Sequence, residues 1–284
     1  IINNMSKCKS VLRWVGSKKR LVNDIVNNLP DKMNDYYEPF LGSGIVYLHI
    51  PNKKKSYIND NNKDLISIYK YVKKNHKELI EKLDKLYKDY MKSEDKKEFY
   101  LKQRVNFNKL KGKYNIERAT LYIFINKTCY NGLMQFNKYD LNTSGFGKLD
   151  NPNICDLKNI ENLHHNLKNR TIIKNQDYLE FLKNIKKGDF VYLDPPYVPD
   201  DIKGCSIKYS SKIWNLDDFN NLVDLCYKLD KKGCKFMLSN SNSDFIRKNF
   251  SKKDFNIKKI KIARGLCPTS SLRKHEDELL IMNY

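Results

Sequence analysis

Short apolar runs recur along the chain between turn residues, which is the pattern of strands packed in the interior of a sheet. In chain order they are YYEPF, KSYIND, RTIIKNQD, DFVYLDPPY and CKFMLSNSN, then FNIKKIKIARG and EDELLIMNY as a closing antiparallel pair. Segments of helical period lie between strands at 178–186 and 216–230, with the spacing of right-handed crossovers. An earlier helix carries an apolar face of Leu21, Ile25, Val26 and Leu29. The pattern predicts a twisted α/β sheet.

A second pattern interrupts the sheet. Residues 64 to about 125 show helical period and dense charge, and they fall between the second predicted strand and the later ones. We therefore predict a sheet domain of residues 1–62 plus 157–284, and an inserted, mainly helical domain of residues 63–156. Farther along, residues 201–213 have the composition of a mobile loop.

The end of the insert, residues 126–150, is rich in Asn, Gly and aromatic residues and has no sustained period. It predicts a loop or hairpin. Exposed there, four side chains would suit stacking on bases or wedging between them: Tyr130, Leu133, Phe136 and Phe146. The alternative is a polar connection whose aromatic residues pack on the inserted helices.

The charge balance is strongly basic. In 284 residues, Lys and Arg number 54 against 33 Asp and Glu, which gives a formal net charge of +21. Such an excess favours a polyanionic partner such as nucleic acid, because each cation set against a phosphate releases a counterion. The alternative is an ordinary basic surface, since the excess is almost wholly lysine in a chain also crowded with Asn, Ile and Tyr.

Cysteine usage indicates the compartment. The seven cysteines are odd in number, include no C-x-x-C pair, and accompany no secretory signal or long apolar run. We therefore expect a reducing, intracellular setting and no membrane partner. His164 and His165 come nearest to a metal cluster but lack partners at ligand spacing, so no metal site is expected.

A glycine-containing turn suggests a nucleotide-like ligand. Gly42 and Gly44 lie between a strand-like run and a helical one, where glycine lets the backbone approach a ligand and the helix presents free N–H groups. A lone G-x-G is weak evidence. It gains weight from Asp60, which ends the next strand sixteen residues later, where nucleotide-binding folds place a ribose-binding acid. Together they imply an adenosine-containing cofactor.

The segment DPPY, which ends an apolar strand, suggests chemistry on an amino group. A nucleobase amine is a poor nucleophile, so an enzyme must hydrogen-bond both its protons and hold the nitrogen out of plane. The Asp194 carboxylate and the Pro195 carbonyl can do this, while Tyr197 offers a face to an extruded base. The predicted catalytic residues are Asp194, Pro195, Pro196 and Tyr197. The alternative is ordinary turn chemistry, in which Asp-Pro-Pro is common.

Seven segments together resemble successive motifs of the Dam-type DNA adenine-N6 methyltransferases, in the same order: LRWVGSKKRL, EPFLGSG, YINDNNKDLISIY, NKTCYNGL, VYLDPPYVP, LSNSN and HEDELL. The resemblance implies an enzyme that uses S-adenosylmethionine and has a Rossmann-like fold, with the helical insert acting as target-recognition domain. It also implies that Trp14 and Lys18 line the cofactor pocket, although each alone is typical of packing or of a solvated helix start. Asp60 would hold the ribose, and Asp194 would lie between cofactor and target amine.

The full set of cofactor residues expected on this basis is Trp14, Lys18, Phe40, Gly42, Gly44, Asp60, Asp177, Tyr178 and Asp194. The set expected to bind DNA is Tyr130, Asn131, Leu133, Gln135 and Asn137. The implied partner is double-stranded DNA, with no metal required. A monomer is favoured, acting in the cytoplasm or nucleoid, or in a host cell's cytoplasm if the chain is viral.

Two departures from the family concern the recognition sequence. Family members that methylate GATC usually carry an arginine after NGL and one intervening residue, where this chain has Gln135. Glutamine can pair bidentately with adenine, whereas arginine prefers guanine. The family's Asn-Val-Pro-Phe-Gly is replaced by Asn142–Gly147, one residue longer and without proline. GATC is therefore not assumed.

Two alternatives to adenine methylation follow from the same residues. The first is a methyltransferase for another amino acceptor, such as cytosine N4 or an RNA base. The predicted clamp, Asp194 to Tyr197, would grip a planar amino group of any kind. The second is a non-catalytic DNA-binding homologue, which the presence of all the motif residues disfavours.

Overall fold

The computed structural model describes residues 8–51, 54–198, 207–209, 212–261 and 277–284. The α-helices in these ranges are α1 (Val22–Asn27), α2 (Ile45–His49), α3 (Lys63–Lys92), α4 (Lys96–Lys109), α5 (Ile116–Thr128), α6 (Leu157–Lys168), α7 (Tyr178–Phe181), α8 (Leu216–Lys231) and α9 (Asp244–Asn249). The strands are β1 (Tyr36–Glu38), β2 (Ser56–Asn59), β3 (Thr171–Lys174), β4 (Phe190–Leu193), β5 (Ile207–Tyr209), β6 (Lys212–Trp214), β7 (Lys235–Ser241), β8 (Asn256–Lys261) and β9 (Asp277–Met282).

The main sheet has the order β3-β2-β1-β4-β7-β9-β8 in the part of the chain that is described. Strands β2, β1, β4 and β7 pair in parallel, whereas β9 runs antiparallel to both β7 and β8. Every residue of β4 is fully buried, as expected for an interior strand of apolar and aromatic residues. The predicted α/β sheet and its closing antiparallel pair are confirmed.

The chain divides into two compact units. The first comprises Ile1–Lys18, Gly42–Leu48 and Lys63–Ile173, and the second comprises Lys19–Leu41, His49–Asn62 and Lys174–Tyr284. The sequence-based boundaries at 63 and 156 stay a prediction.

A buried ion pair organises the helices of the first unit. The Arg118 guanidinium of α5 donates to both carboxylate oxygens of Asp64 on α3, at 2.5 and 2.8 Å. It also donates to the Phe107 carbonyl of α4 at 3.0 Å and lies 3.9 Å from the centre of that ring. One planar cation therefore ties three helices together, and its charge is matched by a carboxylate as burial requires.

The core of the second unit forms where α8 packs against the sheet. The helix begins at a capping box, in which Asn215 and Asp218 each accept a hydrogen bond from the other's backbone N–H at 3.1 Å. Its apolar stripe, which includes Phe219, Leu222 and Cys226, joins the buried cluster that also contains side chains of β4 and β7.

Two sequence-based expectations for local structure are wrong. Part of the predicted mobile loop over 201–213 forms an antiparallel pair, β5 with β6, while 199–206 and 210–211 lie outside the described residues. The helix expected over 178–186 ends at Phe181, because the chain tightens into i→i−3 bonds from Lys183 to Glu180 and from Ile185 to Leu182.

Candidate active site and nucleic-acid interface

Polar side chains gather where the parallel strands of the second unit end. Because β1, β2, β4 and β7 are parallel, their carboxyl ends lie at one edge of the sheet. Glu38 ends β1, Asp60 follows β2, Asp194 follows β4 and Ser241 ends β7. Strand β1 has β2 on one side and β4 on the other, so the edge contains a switch in strand order, where open α/β sheets bind ligands.

The segment after β4 is anchored at its far end. The Tyr197 hydroxyl donates a hydrogen bond to Glu278 on β9. The Val198 N–H donates to Asn240 Oδ1 at 3.0 Å, and the Ser241 hydroxyl donates to the Val198 carbonyl at 2.6 Å. Two neighbouring strands therefore hold the end of the predicted clamp.

Burial within the clamp is uneven. Pro195 and Pro196 are buried, whereas Asp194 and Tyr197 are half-buried. Desolvation, followed by the charges of Asp194 and Glu278, raises the pKa of Tyr197 far above its ordinary value. The hydroxyl is therefore a neutral donor at any physiological pH.

A second network holds the end of β2. The Asn59 side chain donates to the carbonyls of Pro39 and Gln176, each at 3.0 Å, and accepts from the Gln176 N–H at 3.0 Å. Next to it, Asp60 is 1% exposed; its carboxylate accepts from the Asn62 N–H at 2.9 Å, and its carbonyl accepts from Asn175 at 2.7 Å. The turns after β1, β2 and β3 are thus joined by side-chain amides, which brings together segments that carry three predicted cofactor residues.

An aromatic cluster adjoins these turns within the second unit. Phe40 lies 5.1 Å from Tyr178 and 5.8 Å from Trp214, measured between ring centres, and Tyr178 and Trp214 are 5.6 Å apart. The Tyr178 hydroxyl is buried and has no hydrogen-bond partner in the ranges that the structure describes. A buried hydroxyl without a hydrogen-bond partner is uncommon in a protein core. It fits a binding surface at which a ligand supplies the missing partner.

The first unit carries the other predicted cofactor residues. Gly42 has φ of +47°, and a Cβ there would come 2.9 Å from Trp14 Nε1, so only glycine suits this position against the indole. The Ser17 and Ser43 hydroxyls lie 3.0 Å apart, and buried Lys18 donates to the Gly16 carbonyl at 3.1 Å. The Trp14 turn and the Gly42 turn therefore pack as one local structure.

Asn126 links the Trp14 segment to the loop predicted to bind DNA, also within the first unit. Its fully buried side chain accepts from the Arg13 N–H at 2.8 Å and donates to the carbonyls of Arg13 and Gly132, at 2.9 and 3.2 Å. A Cβ on Gly132 would approach the Arg13 side chain to 2.5 Å. The contact therefore requires both the asparagine and the glycine.

Residues 129–146 form an irregular hairpin, closed by isolated bridges between Cys129 and Phe146 and between Phe136 and Asn142. Tyr130 is 63% exposed and Leu133 is 37% exposed, as predicted. Phe136 and Phe146 instead contact the α4 rings of Phe107 and Tyr100, at 6.4 and 5.4 Å, so for these two the packing alternative holds.

The hairpin is held by one fully buried serine, Ser144. Its hydroxyl accepts from the Gln135 N–H at 2.8 Å, and its carbonyl accepts from the Tyr100 hydroxyl and from Arg104, at 2.8 and 2.7 Å. The Gln135 side chain is exposed. At the tip, the Asn137 side chain accepts from the N–H groups of Tyr139 and Leu141, at 2.9 and 3.0 Å. The side chain of Gln135 thus projects from a backbone fixed on both sides.

The contacts of Glu278, Asn240, Asn126 and Trp214 were not predicted from the sequence. The first three lie in segments that carried the family resemblance, but no pattern within those segments indicated a partner.

Neither a metal cluster nor a membrane span is found in the described ranges. Nowhere in them do three His, Cys, Asp or Glu side chains come together to hold a metal ion. His164 stacks on His76, with ring centres 3.7 Å apart. No helix among the described residues is long and apolar enough to cross a bilayer.

Comparison with known proteins decides the family. The profile of the D12 class N6 adenine-specific DNA methyltransferases matches residues 14–266, which takes in the Trp14 turn, the hairpin and the Asp194–Tyr197 clamp. The chain belongs to this family. The suspected resemblance is confirmed, and membership decides among the acceptors that the clamp alone left open, in favour of adenine N6 in DNA.

Curated relatives of this D12 methyltransferase span nearly its whole length. Type II methyltransferase M.MjaIII of Methanocaldococcus jannaschii is 38% identical over 97% of this chain and 99% of its own length. Type II methyltransferase M1.LlaDCHI of Lactococcus lactis subsp. cremoris is 32% identical over 99% and 97% of the two chains. DNA adenine methylase of Escherichia coli strain K12 is 26% identical over 98% and 96%.

Proposed function

We propose that this D12 methyltransferase uses S-adenosylmethionine to methylate N6 of an adenine flipped out of duplex DNA at a short recognition sequence. The observation that carries the proposal is the anchored Asp194–Tyr197 clamp at the switch in strand order. The family supplies the acceptor. The anchored position of the clamp supports our assignment of Asp194, Pro195 and Tyr197 to act on it.

The residues present suit the proposed cofactor. Asp60 is a buried acid at a strand end, which suits hydrogen bonding to ribose hydroxyls. The cluster of Phe40, Tyr178 and Trp214 offers apolar faces to an adenine ring, and the Tyr178 hydroxyl has no hydrogen-bond partner among the described residues. When bound, S-adenosylmethionine supplies a methyl group on a positively charged sulfur. In the second unit we assign Phe40, Asp60, Asp177, Tyr178 and Asp194 to holding it.

In the first unit we assign Trp14, Lys18, Gly42 and Gly44 to the same cofactor. The support is the family resemblance and the glycine backbone at Gly42, which lets the chain lie close to Trp14.

For the reaction, the protein's task is to prepare the amine. The Asp194 carboxylate accepts one N–H of the adenine amino group and the Pro195 carbonyl accepts the other, which draws the nitrogen lone pair out of conjugation. The Tyr197 ring stacks on the extruded base, and positioning of this kind supplies much of the rate. The proton released by the methylated amine passes to solvent or to Asp194.

For DNA binding we assign Tyr130, Asn131, Leu133, Gln135 and Asn137 on the hairpin. Exposed Tyr130 and Leu133 can wedge between bases, and Gln135 can pair bidentately with an adenine. The support is the fixed backbone on which these side chains stand. Lysine contacts to phosphate position the duplex, and a monomer acting in the compartment that holds DNA suffices.

The test is to incubate the purified protein with S-adenosylmethionine and unmethylated genomic DNA, and then to sequence the product by a method that detects methylated adenine at base resolution. Methyl marks at one short motif are expected, and they would identify the sequence that Gln135 contacts. Absence of adenine marks, with cofactor binding intact, would contradict the proposal.

A further inference from the structure

Glu278 is a buried carboxylate placed directly against the clamp. It lies on β9, opposite Ser241 of β7 and Ile260 of β8, and only 3% of it is exposed. One of its oxygens, Oε1, accepts the hydrogen bond from the Tyr197 hydroxyl. Burying a carboxylate costs free energy unless donors compensate it, and the Tyr197 hydroxyl is one such donor.

The chemistry of the pair fixes which atom donates. Burial of Tyr197, together with the nearby charges of Asp194 and Glu278, raises the pKa of its hydroxyl and keeps it protonated. The phenol therefore donates to Glu278. Hydrogen bonds to an ionised acceptor are shorter and stronger than neutral ones, so this bond restrains the hydroxyl end of the ring.

The backbone beyond the ring is restrained separately. The Val198 N–H and carbonyl are bonded to Asn240 and Ser241 on β7, at 3.0 and 2.6 Å. With the backbone held by β7 and the hydroxyl held by β9, the Tyr197 ring is held at both ends. Because a phenolic O–H lies in the plane of its ring, the position of the acceptor also orients that plane. A tyrosine free to rotate about its side-chain bonds would present no constant face to a base.

We propose that Glu278 is a positioning residue for methyl transfer, which acts by fixing the ring plane of Tyr197 and thereby the target amine against Asp194. The inference rests on the proposed function of the clamp. In this role Glu278 acts through Tyr197 and not on the base or the methyl group. The role requires an oxygen acceptor at position 278; a charged acceptor strengthens the hydrogen bond, but a neutral one can also make it.

The experiment compares Glu278→Leu, Glu278→Gln, Tyr197→Phe and the double variant Tyr197→Phe with Glu278→Leu. The main measurement is the single-turnover rate of tritiated methyl transfer from S-adenosylmethionine to DNA, with both at saturation. Cofactor and DNA affinities are measured alongside, together with the fluorescence of 2-aminopurine at the target position. Because total transferred methyl is counted, the rate does not depend on which base accepts it.

Glu278→Leu is expected to lower the rate about 10- to 100-fold, the size of loss that small misplacements of reacting groups cause. Cofactor and DNA affinities should stay within about threefold, because the change acts after binding. Glu278→Gln keeps an acceptor oxygen and should retain most of the rate. The double variant should be no slower than Glu278→Leu alone, since both substitutions remove the same hydrogen bond between Tyr197 and Glu278.

Asp277→Asn is the matched control. Asp277 precedes Glu278 on β9 but pairs with Lys259 at 2.5 Å, so its change should leave the rate unaltered. Full activity of Glu278→Leu, equal losses in Glu278→Gln and Glu278→Leu, or multiplied losses in the double variant would overturn the inference. If Glu278→Leu does not fold, Tyr197→Phe alone and combined with Glu278→Gln gives the same comparison. Nucleoside analysis of the product tests the proposed function independently.

Discussion

At the scale of single residues, the proposed site depends on acids held at strand ends. Asp60 and Asp194 follow β2 and β4 at one sheet edge, yet they differ in burial: Asp60 is buried, while Asp194 is half-buried. A buried acid with fixed donors suits static recognition of a cofactor. A partly accessible acid suits a group that meets a substrate entering from solvent. Each assignment therefore predicts a different defect on substitution.

Asp194→Ala should lower the methyl-transfer rate by at least about 100-fold, the usual effect of removing one preorganised group that stabilises the transition state. Duplex affinity should stay within a few-fold, because phosphate contacts supply most of it. Single-turnover kinetics and DNA-binding titrations measure the two quantities. Retained turnover would contradict the role given to Asp194.

Asp60→Ala should weaken binding of S-adenosylmethionine about tenfold or more, as loss of a charge-assisted hydrogen bond does. Calorimetric titration measures this directly, and S-adenosylhomocysteine should show the same loss. Asn61→Ala, which changes the exposed neighbour, is the control and should bind normally. Cofactor affinity unchanged in Asp60→Ala would refute the assignment.

At the scale of elements, the hairpin over 129–146 owes its shape to buried polar side chains. Ser144 receives hydrogen bonds from Gln135, Tyr100 and Arg104, and its N–H donates to Asn142 at 3.2 Å. This segment lacks the proline that the family usually has there. Here Ser144 and Asn142 fix the loop through hydrogen bonds. A fixed loop is a precondition for specific contacts to base edges.

Ser144→Ala should relax sequence discrimination. It removes the acceptor for the Gln135 N–H, and a well-placed bidentate contact to a base is worth about 1–3 kcal/mol of discrimination. The measurement is the ratio of kcat/KM on the recognised site to kcat/KM on sites with one base changed. We expect that ratio to fall about three- to tenfold. This is only part of the fall expected if the contact of Gln135 with its base were lost completely.

Ser93→Ala is the control for that experiment, since it also removes a half-buried serine hydroxyl with a backbone hydrogen bond, to the Asp95 carbonyl, but in the turn between α3 and α4. Its discrimination should equal that of the unchanged protein. If Ser144→Ala discriminates as well as the control, the hairpin does not depend on this serine for specificity.

At the scale of the whole molecule, the relevant property is the net charge of +21. Family membership makes DNA the substrate, yet it does not show that the lysines contribute to DNA affinity. The alternative, a basic surface arising from biased composition, makes a different prediction about salt.

Affinity for a duplex without the recognition sequence should fall steeply with salt. If about 6 to 10 phosphates are contacted, the loss between about 50 and 200 mM salt is about 10³- to 10⁵-fold. Anisotropy of a labelled duplex measures this, and cofactor affinity under the same conditions is the control. A nearly flat dependence would mean that the lysines are not at the DNA.

The sequence by itself determined the seven strands of the main sheet and the family, and it predicted which residues would meet the amine. Strand β4 could be predicted because a run of four apolar or aromatic residues that ends in Asp-Pro-Pro is a local pattern. For Trp14 and Lys18 the local pattern was not enough, since a single aromatic or lysine is more often structural; only the order of seven motifs indicated a role.

Only the tertiary structure decided which side chains hold the site in place. Glu278 and Tyr197 are 81 positions apart, and Asn126 and Arg13 are 113 apart. Such contacts arise because β9 returns antiparallel beside β7 and because α5 ends beside the N-terminal turn. A hydrophobic pattern reports which face of an element is buried, but a buried polar group takes its partner from whatever the fold brings to it, and that partner is fixed by topology.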